Sequence, residues 1–242
     1  LKIEGNLVSK PYLDATIATM RKFGVTVQTL IPYKRYNITP QIYKDTSFIV
    51  PIDFSSLALL LSASVLNGVD VKIKGDIGTL PQGDEVFLDI LEQLGVTVTI
   101  NDDEIKIKSP EKLNGGKFDL SNSPDLLPPL AILSLNTSNP IEITNVKHAR
   151  LKETDRIAIV SREMVKLGIK VQEKEDGLIL ESTENLKPAE LNSENDHRLF
   201  MAFCIAGMYV GDCTVSDPES VNVSYPNFIE EMNNLGARIK VQ

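Results

Sequence analysis

The sequence predicts an α/β protein assembled from copies of one β-α-β-α-β-β unit, and two observations carry that prediction. A helical pattern of apolar residues ends four times in a Gly that runs directly into a strand-like stretch: Phe23-Gly24-Val25, Leu94-Gly95-Val96, Leu167-Gly168-Ile169 and Leu235-Gly236-Ala237. These glycines stand about 70 residues apart, and a fixed period of that size marks a repeated supersecondary unit. The second observation is a contrast within each copy. Its first helix, such as 57–66 or 199–210, is apolar on nearly all sides, as buried helices are, whereas its second is amphipathic. Buried helices with sheets wrapped outside them fit this contrast, and so does an ordinary layered arrangement.

Taken in order, segment 1–44 reads as a strand over 1–8, a helix from Pro11, a strand after Gly24 and a second strand near 35–39. It is the back half of a unit. The next copy has strand 47–53, helix 55–67, strand 69–75, helix 84–95 and strands 96–100 and 104–109. The third has strand 117–121, helix 124–136, strand 140–146, a helix over 152–168 and strands 169–174 and 177–182. The last has strand 188–192, helix 196–210, strand 211–217, a helix within 222–236 and strand 237–242. The expected division is a partial unit, 1–46, that belongs to another domain, followed by a closed, roughly threefold domain over 47–242 with units 47–110, 117–183 and 187–242. Leu1 opens in the middle of the first strand, so a further N-terminal segment is expected to precede it.

A chain of 242 residues with 42% hydrophobic content can bury a sizeable core. Its net charge of -8 argues against a nucleic-acid or anionic-membrane surface, so any site for an anion has to be a local cluster. Cys204 and Cys213 lie apart from each other and from any His at metal-ligand spacing, and read as core thiols of a reducing compartment. No apolar run is long enough to span a bilayer and no signal peptide is present, which gives a cytoplasmic expectation.

Polar residues collect where helices begin. Residues 152–156, Lys-Glu-Thr-Asp-Arg, occupy the predicted first turns of an amphipathic helix that Gly168 ends. Lys152 and Arg156, four apart, repel on one face unless something negative lies between them. A helix N-terminus also favours anions, so the motif points to an anionic ligand, although for such a motif in isolation a surface pair of Glu153 with Arg156 is the commoner explanation. Ser123-Pro124-Asp125 fits an N-cap, a first-turn Pro and a first-turn acid, and stability alone accounts for that pattern. Ser9 before Lys10-Pro11 can be a simple cap, whereas Arg198, beside Asp196 and His197, sits close to a positive dipole end and is unfavourable there without an anion. If the copies are related by rough symmetry, these helix starts converge on one end of the domain. No Gly-rich phosphate loop, nucleotide fingerprint or nucleophile elbow occurs.

The run 148–157, HARLKETDRI, with SPDLLPPLAIL before it, NDHRLFMAF after it, LVSKPYLDATIATMRKFGV near the start and SYPNFIEEMNNLGA near the end, closely resembles the 5-enolpyruvylshikimate-3-phosphate synthase family. The similarity runs over the whole chain and corresponds to the C-terminal part of such enzymes. It implies two domains of three β-α-β-α-β-β units each, in an inside-out α/β barrel with helices buried and sheets outside, and an active site in the cleft between domains. It implies transfer of the enolpyruvyl group of phosphoenolpyruvate to the 5-hydroxyl of shikimate 3-phosphate by a monomer, in aromatic amino acid biosynthesis, with no metal or organic cofactor.

Carried over by that resemblance, Asp125 would take the proton of the attacking hydroxyl and Glu153 would move a proton at the enolpyruvyl methylene. Lys152 and Ser9 would contact shikimate 3-phosphate, and Arg156 and Arg198 would bind the phosphoenolpyruvate carboxylate. His148 stands where many members carry an Asn that contacts the shikimate phosphate, and Val223 stands where the family commonly has a Lys. The rival enzyme of the same fold, a UDP-N-acetylglucosamine enolpyruvyl transferase, fits less well because no plausible reactive Cys loop is present. A non-catalytic relative acting as a binding module draws its support from Val223.

Overall fold

A computed structural model describes residues 1–101 and 103–241. Three helices form its centre. α2 (Phe54–Leu66), α4 (Leu127–Leu133) and α6 (His197–Val210) each pack on the other two, and every residue of α4 is buried. Their all-round apolarity is thus a consequence of having helix neighbours inside and sheet outside. Pro128 and Pro129 fall in the first turn of α4, where their missing N–H groups would have had no partner in the helix.

The sheets lie outside this triangle. In the third copy β6 (Gly116–Asp119), β7 (Ile141–Thr144), β8 (Lys170–Lys174) and β9 (Gly177–Glu181) form a sheet in the order β6-β7-β9-β8, with β6 parallel to β7 and the remaining pairs antiparallel. The second copy has the same order without its leading strand: β3 (Val71–Lys74), β5 (Glu104–Lys108) and β4 (Thr97–Asn101). The last copy keeps only the parallel pair β10 (Glu190–Leu191) and β11 (Thr214–Val215). The arrangement is therefore buried helices with separate sheets around them, and among the described residues these sheets do not join into a closed barrel.

Second helices cover the flanks: α1 (Lys10–Lys22), α3 (Val86–Gln93), α5 (Arg156–Lys166) and α7 (Phe228–Asn234). Each ends in the same way. Gly24, Gly95, Gly168 and Gly236 have φ of 80°, 94°, 98° and 104°, and each donates its N–H to the carbonyl three residues back while the following residue donates to the one five back. This is the left-handed helix stop that Gly adopts without steric cost.

The structure corrects several expected boundaries. Residues 152–155 precede α5 rather than forming its first turns: a 3-10 segment runs Lys147–Leu151, and Asp155 caps the helix by accepting from the Ala158 N–H at 3.0 Å. Segment 1–8 has only a bridge from Lys2 to Arg35, and 47–53 and 237–241 form no strand. Residue 242, the last of that expected final strand, lies outside the described residues. A β-pattern without a neighbour to pair with stays extended and unladdered. In the first segment, β1 (Gln28–Ile31) and β2 (Arg35–Asn37) make a hairpin, and Ile17, Val27 and Tyr36 form a small apolar cluster separate from the main core.

Candidate active site

Four helix starts meet at one end of the molecule, and one buried guanidinium ties three of them together. Arg156, the first residue of α5, has no exposed surface and donates in three directions: Nη1 to Asp125 Oδ1 at 2.7 Å, Nη2 to Glu153 Oε2 at 2.6 Å, and Nε to Asp196 Oδ2 at 2.8 Å. Asp196 in turn caps α6 by accepting from the Arg198 and Leu199 N–H groups, so one carboxylate ties the first turns of α5 and α6. The Asp196, Asp125 and Glu153 charges more than offset the burial of Arg156, holding its pKa above the usual arginine range. The negative partner between Lys152 and Arg156 is thus supplied from within the chain.

Asp125 sits in a 3-10 turn, Pro124–Leu126, that leads into α4. Lys152 Nζ lies 3.2 Å from its Oδ1, Arg198 Nη2 3.6 Å from its Oδ2, and Tyr12 Oη donates to that same Oδ2 at 3.0 Å. Burial alone would raise this carboxyl, but Arg198, Arg156 and Lys152 outweigh it and hold the pKa down at about 2. Arg198 also donates to Ser55 Oγ at 3.0 Å, which brings the start of α2, capped by Asp53, into the same place. Asp125, Glu153, Lys152, Arg156 and Arg198 are therefore one connected cluster.

Several donors at this cluster remain uncommitted. Arg198 Nη1 and His148 Nε2 are buried and have no hydrogen-bond partner among the described residues. Burial, with Lys152 adding to it, keeps the His148 imidazole below its usual pKa. Ser9 does not cap α1; it adopts a left-handed φ of 54° with no side-chain capping bond, and its N–H anchors the segment to the Ser121 carbonyl at 3.0 Å. Ser123 does not cap either, since its hydroxyl donates to the Gly83 carbonyl at 2.7 Å. Arg156, by contrast, lies behind its carboxylates, and it meets an outside anion only if Glu153, whose side chain is 47% exposed, swings away. Val223 is 73% exposed and brings no charge.

Two further members escape a reading of the sequence. Tyr12, on α1, stands between Asp125 and Asp84 with Oη 3.3 Å from Asp84 Oδ2, and the Lys152 ammonium lies 5.7 Å from its ring centre. Asp84, in the 3-10 turn Gly83–Glu85 before α3, is 6% exposed. The one local signal is that Asp84, like the others, begins a helix. Among the described residues no group of three His, Cys, Asp or Glu side chains has a geometry that could hold a metal ion.

The family model for EPSP synthase (3-phosphoshikimate 1-carboxyvinyltransferase) matches residues 1–232. The 3-phosphoshikimate 1-carboxyvinyltransferase of Nitrosopumilus maritimus is 82% identical over 99% of this chain and 57% of its own length. That of Methanococcus maripaludis is 38% identical over 97% of this chain and 56% of its own. An EPSP synthase structure from Acinetobacter baumannii superposes with a TM-score of 0.79 at 27% identity, covering 93% of this chain and 55% of that one. The enolpyruvyl transferase NikO of Streptomyces tendae shares the fold with a TM-score of 0.76 at 20% identity. The chain spans about half the length of the curated relatives it matches. With a family model covering nearly all of it and relatives this similar, the chain belongs to the EPSP synthase family.

Proposed function

We propose that this chain forms one side of an active site that transfers the enolpyruvyl group of phosphoenolpyruvate to the 5-hydroxyl of shikimate 3-phosphate, within the shikimate pathway. The observation that carries the reading is Arg198: a guanidinium at a helix start whose buried Nη1 has no partner among the described residues, beside the carboxylate of Asp125. Arg suits a carboxylate ligand because its donors form a fork. Lys152, His148 and Ser9 supply donors for the shikimate phosphate, and Arg156 holds Asp125 and Glu153 in register behind them. In the reaction Asp125 accepts the hydroxyl proton as that oxygen attacks the enolpyruvyl carbon and Glu153 delivers a proton to the methylene. In the elimination Glu153 takes a proton back from the methyl group as the C–O bond to phosphate breaks, and the proton held by Asp125 goes to the leaving phosphate. Asp125 is a weak base while three cations face it. An anionic guest that draws Lys152 and Arg198 toward itself restores its basicity.

The division of the chain at about residue 46, the threefold repeat of units after it, a cytoplasmic location, a monomeric full-length protein and independence from cofactors, nucleic acid and membranes belong to the same proposal. The separate apolar cluster of Ile17, Val27 and Tyr36 supports the division. Among the described residues no helix is long and apolar enough to cross a membrane. The deciding experiment joins this chain to the half that its relatives also possess and follows phosphate release. Release with phosphoenolpyruvate and shikimate 3-phosphate is expected; release with UDP-N-acetylglucosamine in its place, or none with either acceptor, overturns the proposal.

A further inference from the structure

The contact of one phenol with two carboxyls sets a counting problem. Tyr12 Oη lies 3.0 Å from Asp125 Oδ2 and 3.3 Å from Asp84 Oδ2, and a phenol carries a single proton to donate. If both carboxyls are ionised, one of these contacts sets two lone pairs against each other. Asp125 takes the tyrosine proton on distance and on its charge, which Arg156 and Lys152 stabilise at 2.7 and 3.2 Å. The second contact then needs a proton from Asp84.

The surroundings of Asp84 agree. It is 6% exposed, its Oδ1 has no hydrogen-bond partner among the described residues, and Tyr12 is the one group within hydrogen-bonding distance of its Oδ2. An ionised carboxylate so placed would forgo the two or three donors that a buried charge requires. The titratable and charged groups facing it are Tyr12 from α1, Asp53 from the start of α2, Asp125 from the turn before α4 and Arg198 from α6. Two are carboxylates and one is a cation already shared with Asp125. Its neighbour Glu85 turns away to the Gln82 N–H at 3.3 Å.

We propose that Asp84 is a neutral carboxylic acid that donates to Tyr12, so that the single tyrosine proton stays on Asp125 and Asp84 serves as a positioning residue for that base. The role assigned to Asp125 rests on the reading above; the protonation of Asp84 does not. Burial, with the Asp125 charge adding to it, lifts the Asp84 carboxyl to about 7. Above that pH Asp84 ionises and competes for the tyrosine proton, and the bond that orients Asp125 loosens.

The test is a carboxyl 13C NMR titration of the chain with labelled aspartate, from about pH 5 to about pH 9. One aspartate signal is expected to titrate near neutrality, to vanish in Asp84→Asn and to move downward in Tyr12→Phe, where the neutral form loses the acceptor of its proton. No aspartate titrating above about pH 5, or a neutral titration that survives Asp84→Asn, overturns the proposal. If Asp84→Asn does not fold, the response of the signal to Tyr12→Phe decides. A second readout is the pH profile of kcat in the full-length protein. A fall above neutrality is expected in the parent and not in Asp84→Asn, which keeps the neutral donor; loss at every pH alike contradicts a role through protonation. Absence of transfer activity in the parent would sink the functional reading and leave the titration standing.

Discussion

Arg156 shows how a buried ion cluster divides its members between stability and function. With no exposed surface and three carboxylates around it, its removal leaves Asp196 and Asp125 as buried charges short of a partner. Arg156→Ala is expected to cost about 3–5 kcal/mol in urea unfolding, the usual penalty for stranding a buried charge. Arg198 has no partner for Nη1 among the described residues, and Arg156 and Lys152 still face Asp125 without it, so Arg198→Ala is expected to cost less than Arg156→Ala and to raise the KM for phosphoenolpyruvate. Equal losses of stability in the two variants would show that the division is wrong. The pH dependence separates Asp125 from Asp84 in the same manner. Asp125, depressed to about 2, adds stability that is present above its unfolded pKa of about 4 and is lost as pH falls toward 2. Asp84, raised to about 7, adds stability that is full below about 4 and is lost as pH rises through 7. Thermal midpoints of Asp84→Asn should therefore gain on those of the parent between about pH 4 and about pH 7. Asp125, Glu153, Lys152 and Arg198 were legible in the sequence because they occur in short charged motifs at helix starts. Asp84 and Tyr12 were not, because what defines them is a shared proton between residues 72 apart in the chain.

At the scale of elements, the helix stops were the most legible feature, since a left-handed Gly is a local requirement that needs no tertiary partner. Strands were less so. Segments 1–8 and 47–53 carry strand-like patterns, yet strand formation depends on a neighbour, and Ile49 and Val50 are left exposed. The start of α5 was misplaced by four residues because Lys152 to Thr154 pass as helical in composition while Asp155 is the residue whose side chain caps. The four glycines also offer a graded test. Gly236 has φ of 104° and open space around a notional Cβ, so Gly236→Ala is expected to cost about 1–2 kcal/mol, the strain of a left-handed Ala. At Gly168 a Cβ would come within 2.4 Å of the Asn185 carbonyl oxygen, a backbone atom that cannot swing aside. Gly168→Ala should cost roughly 2–4 kcal/mol, strain and overpacking together. The order of the two urea midpoints checks this, and a reversed order would mean that backbone strain, not space, dominates both sites.

For the whole molecule, charge bookkeeping at the cluster sets what this chain can do alone. Lys152, Arg156 and Arg198 face Asp125, Glu153 and Asp196, so the described site is close to neutral, and the chain carries a net charge of -8. Two multiply charged anions, phosphoenolpyruvate and shikimate 3-phosphate, would leave such a site strongly negative in a poorly solvated place. That arrangement is stable only if further cations arrive from elsewhere. An open apolar groove also begins at the site, lined by Tyr12, Ala15, Thr16, Thr19, Met20, Phe23 and Tyr43. Relatives roughly twice as long have sequence to supply both the cations and the cover. The expectation is that the 242-residue chain alone gives little or no phosphate release from the two substrates, and that turnover appears when the half found in its longer relatives is added in trans or in one chain. Phosphate release by this chain alone at a rate near that of the joined protein would mean that Lys152, Arg198, His148 and Ser9 suffice to hold both anions, and the neutral-cluster argument would fall with it.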